Sequence, residues 1–197
     1  SVDEASGALR QANALNMLNT RYIILSPDAV PLANDYALGN AWLIERTLIV
    51  ENADAELEAL KTIDPATEAV VDRRFSDFVT VSEAPQASTD TIYLSSYRPN
   101  LLIYETNLAS DRVAVFSEIY YPKGWQALND GKPADHFRTD YVLRGMILPA
   151  GQHTITFKFE PQSYKTGNRV SMASSLILIL MLAFAATSAI TAYRKNG

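Results

Sequence analysis

Apolar and polar positions follow three patterns in turn along the chain. Up to Asp72 they fall in short mixed segments. Asn13–Leu18 (NALNML) is helix-like, and the β-rich run Arg21–Leu25, closed by Ser26-Pro27-Asp28, predicts one short strand. Trp42–Val50 (WLIERTLIV) predicts a longer strand. Ala53–Ile63 sets Ala55, Leu57, Ala59, Leu60 and Ile63 among Glu56, Glu58 and Lys61; Asn52 or Asp54 can cap its start, and Asp64-Pro65 stops it. An exposed amphipathic helix is expected there, followed by a buried strand at Glu68–Asp72 (EAVVD).

From Phe75 the period changes to two. Phe78–Ser82, Thr91–Ser95, Leu101–Thr106, Arg112–Ile119, Tyr141–Leu148 and His153–Phe159 are runs of β-formers separated by turn residues. A further hairpin pairs Trp125–Leu128 with His136–Phe137 around Asn129-Asp130-Gly131-Lys132, whose Asp-Gly tolerates the positive φ of a type I′ turn. In the last run Ile155, Phe157 and Phe159 alternate with Thr154, Thr156 and Lys158, so one face is core. Short, evenly spaced strands of this kind predict two packed antiparallel sheets.

The third pattern is a run of 24 residues without a charge, Val170–Tyr193. As a helix at about 1.5 Å per residue it reaches about 36 Å, enough for a bilayer core of about 30 Å with some tilt. Its serines and threonines can return their hydroxyls to helix carbonyls. Arg169 precedes it, Arg194 and Lys195 follow it, and Tyr193 stands where an interfacial aromatic would. The competing reading is a buried or partner-binding helix of a soluble protein, but such helices seldom run so long uncharged. Ser171/Ser175 and Ala185/Ala189 match a small-xxx-small pattern that admits a close neighbouring helix.

Charge bears on orientation. Residues 1–169 hold 15 basic and 22 acidic side chains, a net charge of −7, whereas both charges beyond the apolar run are positive. The basic tail, 194–197, belongs in the cytoplasm, which places residues 1–169 outside it. Because SVDEASGALRQ is polar and lacks the form of an export signal, the chain is expected to be a C-terminal piece of a longer membrane protein or a processed form.

Composition closes several classes of chemistry. With 197 residues, 48% of them apolar, the chain is no disordered tail. Zero cysteines remove thiol nucleophiles, disulfides and thiolate metal sites, and a net charge of −5 argues against nucleic acid. Glu118, Asp130, Asp135 and Asp140 share one β-rich stretch, yet nothing selects a glycosidase pair among them. Ser117 beside Glu118 lacks a hydrolase setting, and Gly124 and Gly131 form no phosphate loop. His136 with Asp135 and Asp140 fits no strong metal motif, so no catalytic residue, metal site or cofactor is assigned to this chain.

The candidate contact set for a glycan or lipid phosphate is Tyr120, Tyr121, Trp125, Arg138, Tyr141 and Arg144, with Phe137 in the same aromatic cluster. Amphipathic rings suit the faces of sugars, and guanidinium groups suit phosphate or carboxylate. The competing reading makes the rings a plug at the end of the sandwich. It leaves Lys123 and Asp130 as solvated turn residues, with Arg98, Arg112 and Arg144 pairing nearby acids.

Three stretches, taken in order, resemble the C-terminal region of large bacterial YfhO-type membrane proteins, particularly forms from Bacteroidetes. They are Leu15–Ile24, Tyr36–Trp42 and, most specific, Phe116–Arg144 (FSEIYYPKGWQALNDGKPADHFRTDYVLRG) followed by Leu148–Pro161 and Ser163–Tyr164. The resemblance implies a multi-spanning glycosyltransferase of the GT-C type in the bacterial inner membrane, using a lipid-linked sugar donor. Its catalytic carboxylate would lie in an early extracytoplasmic loop that this chain does not contain. The implied partners are membrane lipid, upstream transmembrane helices, and envelope polysaccharide or a polyprenyl-phosphate sugar.

The expected architecture is therefore α+β. A flexible lead (1–12) and a small mixed α/β subdomain (13–73) precede an antiparallel β-sandwich (75–160) of jelly-roll or immunoglobulin-like form. A transmembrane helix (170–193) and a cytoplasmic tail (194–197) complete it. The expected role is an extracytoplasmic accessory domain of the transferase; the rivals are a non-catalytic glycan- or protein-binding scaffold and an autonomous enzyme, which would need a cleft with convergent polar groups.

Overall fold

The structure, a computed structural model, describes residues 7–80, 83, 85 and 87–195. It divides into two units, 1–158 and 159–197, each taken by itself below.

The first unit is a sandwich with a third layer. Strands β6 (Thr91–Arg98), β7 (Leu101–Leu108), β9 (Trp125–Asn129), β10 (Lys132–Ala134) and β13 (Gly151–Phe159) form a five-stranded sheet in the order β10-β9-β13-β7-β6. Strands β8 (Arg112–Ile119), β11 (Phe137–Thr139) and β12 (Leu143–Leu148) form a second sheet with β3 (Ala41–Ile44), in the order β11-β12-β8-β3. Between the sheets lie Leu102, Tyr104, Ala114, Phe116, Met146, Leu148, Ile155 and Phe157. The Phe116 ring meets Tyr104 and Phe157 edge-on at 4.9 Å each, a geometry that suits their quadrupoles.

The expected division between 13–73 and 75–160 is corrected by β3. This strand from the first third pairs antiparallel with β8, from Ala41↔Phe116 to Ile44↔Val113, and is part of the sandwich. Consequently the four-stranded sheet is buried on both faces. Ala114 and Phe116 of β8 look into the sandwich, while Val113 and Val115 pack with Trp42, Ile44, Ala69, Val71 and Met17 on the far side. A strand buried on both faces reads as a continuous apolar run, as VAVF does here.

The third layer is a parallel pair, β4 (Arg46–Val50) and β5 (Glu68–Asp72), joined through helix α3 (Ala53–Ala59). The single strand expected over Trp42–Val50 is thus two strands. The chain bends at Glu45, where the backbone N–H groups of Glu45 and Arg46 both donate to Thr67 O, and β3 and β4 enter different sheets. Asn52 caps α3 as expected, its side chain accepting from Ala55 N, but the helix stops at Ala59 rather than Ile63. The Trp42 indole N–H donates to Pro65 O at 2.8 Å, tying the middle sheet to this layer.

Other boundaries also move. Residues 7–10, expected in a flexible lead, form a short helix α1 that buries Leu9; residues 1–6 lie outside the described residues. Helix α2 (Asn13–Met17) and the two-residue pair β1 (Tyr22–Ile23) and β2 (Leu32–Ala33) follow. The strand expected at Phe78–Ser82 does not form as such: Arg73–Phe78 is a 3-10 turn, and Val81 and Ser82 lie outside the described residues. Asp130 and Gly131 take φ of 49° and 76°, the expected type I′ pattern. Their hairpin, however, pairs β9 with Lys132–Ala134, while Phe137 crosses to the other sheet.

The second unit contains helix α4 (Gln162–Lys195), of which Gln162–Thr191 is long and apolar enough to cross a membrane. It begins eight residues before the expected span at Val170. Ser174, Ser175, Thr187 and Thr191 each donate a hydroxyl to a helix carbonyl three or four residues back, at 2.8–2.9 Å. These four hydroxyls are thereby satisfied within the helix, as an apolar environment would require. The side chains of Tyr193 and Lys195, expected at the interface, lie outside the described residues, as do residues 196 and 197 of the tail.

Candidate functional site

The six candidate contact residues do not form one surface. Arg144 stands opposite Phe116 in the β12–β8 register and points into the sandwich, where it is fully buried. Its guanidinium lies between the rings of Trp125 at 4.8 Å and Phe157 at 4.4 Å, and Nη2 donates to Ile119 O at 3.3 Å. Among the described residues Nε and Nη1 find no hydrogen-bond partner, nor do the buried Tyr104 hydroxyl and His136 Nε2. Burial pulls the Arg144 pKa down to about 10, against the opposing influence of Glu118 and Tyr104. It also holds His136 neutral, with a pKa pulled down to about 4 by burial and by the nearby Arg144 charge. This corrects the expectation that Arg144 offers itself to a ligand or pairs closely with an acid: it is a core cation, with Trp125 as its half-buried cover. Arg112 does meet an acid, Asp90, at 3.4 Å, and both side chains are fully buried.

Arg138 and Tyr141 belong to a different cluster. Arg138 Nη2 lies 2.6 Å from Glu56 Oε2 and 3.4 Å from Asp72 Oδ2, with the rings of Phe75 and Tyr141 within 5.6 Å of its guanidinium carbon. Glu56 Oε1 accepts from Tyr141 N at 2.9 Å, and Arg74 pairs with Asp72 at 2.7 Å. Hydrogen bonds from the Arg74 side chain and backbone pull the Asp72 pKa down to about 2, whereas burial raises that of Glu56 despite Tyr141 N–H and Arg138. Asp140 completes the set. Its Oδ1 accepts from Val70 N and its own N–H donates to Val70 O, both at 2.8 Å, while Oδ2 is buried without a partner among the described residues. Burial pushes its pKa up to about 7.

This network fastens α3 and β5 to the β11–β12 turn, so Arg138 is engaged structurally. Tyr120 lies between the two clusters, edge-on to Phe75 at 5.7 Å and to His136 at 5.5 Å, and Tyr121 is exposed. Glu56 and Asp72 were not singled out from sequence. The helical spacing Glu56, Leu60, Ile63 was the available signal: it sets the acid on the apolar face of α3.

The candidate carboxylates are likewise dispersed. Asp140 is sealed against Val70, and Asp130 at the hairpin accepts from Thr154 N at 2.9 Å and meets His153 Nδ1 at 2.7 Å. Among the described residues, no group of three His, Asp or Glu side chains is placed to hold a metal ion. His136 packs edge-on against Tyr120 and Phe157.

Two open grooves are better placed to meet a ligand. One, of about 660 Å³, is bounded by Arg10, Asn13, Tyr36, Lys61 and Asp64. Asn13 is already spent on the carbonyls of Leu60 and Ile63, and Lys61 is paired with Glu58. The other, of about 380 Å³, lies on the outer face of the five-stranded sheet over β6, β7 and β13, and Tyr93, Glu105, Asn107, Gln152 and Thr154 line it.

The family model described as bacterial membrane protein YfhO matches residues 79–171. Over that segment the chain is similar to the family. The match runs from the end of the 3-10 turn, through β6 to β13, into the first turns of α4. No curated protein and no solved structure matches the chain. The matched segment contains every residue lining the groove on the five-stranded sheet, whereas the groove near Arg10 lies wholly before it.

Proposed function

We propose that residues 7–158 are the extracytoplasmic accessory domain of a multi-spanning membrane glycosyltransferase of the GT-C type. That enzyme transfers sugar from a lipid-linked donor to a cell-envelope acceptor in the bacterial inner membrane. Its catalytic residues lie outside this chain, and the domain shapes acceptor access. The observation that carries the reading is the YfhO match, which continues from the sandwich into an apolar helix able to span a bilayer. The order of sequence phrases from Leu15 to Tyr164 supports the transferase parentage, and the basic Arg194-Lys195 pair supports a cytoplasmic C-terminus.

A second reading, a non-catalytic scaffold that holds envelope glycan, is favoured by the polar groove on the five-stranded sheet. Two experiments test the proposal. The chain contains no cysteine, so Val30→Cys, at a site 92% exposed, and Asn196→Cys give single thiols for a membrane-impermeant maleimide in intact cells. Labelling of the first and protection of the second is expected; the reverse pattern removes the topology. Transfer of radiolabelled sugar from a polyprenyl-phosphate donor by the full-length protein, lost when residues 7–158 are excised, separates the transferase from the scaffold, which transfers nothing.

A further inference from the structure

On the outer face of the five-stranded sheet the strand registers place polar side chains in two parallel rungs. Tyr93 stands opposite Glu105, which stands opposite Thr154; one step along, Thr91 stands opposite Asn107, which stands opposite Gln152. With strands about 4.8 Å apart and same-face residues about 7 Å apart along a strand, these six side chains cover a patch of about 10 by 7 Å. The patch floors the 380 Å³ groove, which falls within the range of small-ligand sites. One end is closed by the β9–β10 turn, where Asp130 is tied to His153 and to the Thr154 backbone.

The chemistry of the lining selects its ligand. Tyr93 is 59% exposed on the edge strand β6, beside Glu105 of β7. An exposed tyrosine offers a flat apolar face with a polar rim, the complement of a sugar ring that shows C–H groups on one side and hydroxyls at its edge. Glu105 Oε2 already accepts from Thr154 Oγ1 at 3.0 Å, which fixes its carboxylate in place to accept further from a hydroxyl. Asn107 and Gln152 each bring a donor and an acceptor. The lining contains no Lys or Arg, and of its two carboxylates Asp130 is paired with His153, so the charge of Glu105 disfavours phosphate and uronic acid groups. This discriminates against the phosphate of a lipid-linked donor.

We propose that this groove binds an uncharged sugar ring of an envelope glycan, with Tyr93 as the stacking platform and Glu105, Asn107 and Gln152 as the hydroxyl-reading groups. The site rests on the extracytoplasmic placement argued above and is independent of transferase activity. It assigns the glycan-contact role to β6, β7 and β13 instead of the aromatic cluster around Trp125.

The test is saturation-transfer NMR on the full chain in detergent micelles with methyl glucoside, methyl mannoside, methyl galactoside and methyl N-acetylglucosaminide. Glucuronate and glucose 6-phosphate serve as charged probes. Saturable binding of at least one neutral glycoside is expected, with a dissociation constant on the order of millimolar, the scale of so small a ligand. Tyr93→Ala and Glu105→Gln should each weaken it about tenfold while circular dichroism and the melting temperature stay unchanged. Should Tyr93→Ala lower the melting temperature, Asn107→Ala, at an exposed position, replaces it. Absence of binding by all four neutral glycosides overturns the proposal. So does binding indifferent to these substitutions, or tighter binding of either charged probe. Failure here with correct maleimide labelling leaves the topology standing; reversed labelling with intact binding removes the topology and overturns the envelope glycan as the ligand, while the groove remains a neutral-sugar site.

Discussion

Asp140 makes the stability of the sandwich unit depend on pH in an unusual direction. Its carboxyl is buried, with one oxygen held by Val70 N–H and the other facing no partner among the described residues, and burial raises its pKa to about 7. An unfolded aspartate titrates near pH 4, about three pH units lower. Between about pH 4 and about pH 7 the folded state therefore holds a proton that the unfolded state has released. Stability is full below the lower limit and falls as pH rises through the upper one. At about 1.4 kcal/mol per pH unit, the loss across the window is about 4 kcal/mol. Glu56, also raised by burial, acts in the same direction; Asp72, lowered to about 2, acts in the opposite one but only at more acidic pH.

Asp140→Asn keeps one oxygen acceptor for Val70 and cannot ionise. Urea unfolding of the full chain in micelles, followed by the fluorescence of Trp42 and Trp125, should show wild type losing stability from about pH 4 to about pH 7. The variant should keep only the smaller slope due to Glu56, and it should be the more stable protein at the alkaline end. Parallel stability curves for the two proteins across this range would refute the reasoning, because they would mean that Asp140 is ionised in the fold throughout.

Three further substitutions probe the packing, each read by the same unfolding assay. A Cβ on Gly145 would stand 2.6 Å from Phe137 Cε2, and that ring is buried against Phe78. Gly145→Ala should therefore cost about 1–3 kcal/mol, and part of the loss should vanish in a Phe137→Leu background. Arg138→Ala strands the buried Glu56 beside Asp72 and should cost about 3–5 kcal/mol, less at acidic pH where Glu56 takes up a proton; an equal cost at every pH would argue against Glu56 as the cause. Arg144→Met replaces a buried cation that makes one backbone hydrogen bond, so stability should hold or rise by about 1–4 kcal/mol. A large loss would mean that stacking on Trp125 and Phe157 outweighs desolvation.

Features that depend on near neighbours in the chain were legible without a structure. The uncharged run from Val170 predicts a helix whose hydroxyls bond its own carbonyls, and four of them do. Asn52 caps its helix, Asp130-Gly131 makes the tight turn, and Ile155 and Phe157 face the core, since each outcome is decided by backbone sterics or by periodicity over a few residues. Partners distant in sequence were beyond such signals. Nothing local breaks WLIERTLIV at Glu45; the break arises because Thr67, 22 residues on, supplies the carbonyl that turns the strand. Nor does the local pattern around Arg144 distinguish a surface guanidinium from one enclosed by Trp125 and Phe157, whose strands β9 and β13 arrive from elsewhere in the fold. The chain's own chemistry determined which segments become strands and which segment suits a membrane. The stacking of three layers decided which charges are buried and which sheet face remains open, because burial is a property of the assembled surfaces and not of any one segment.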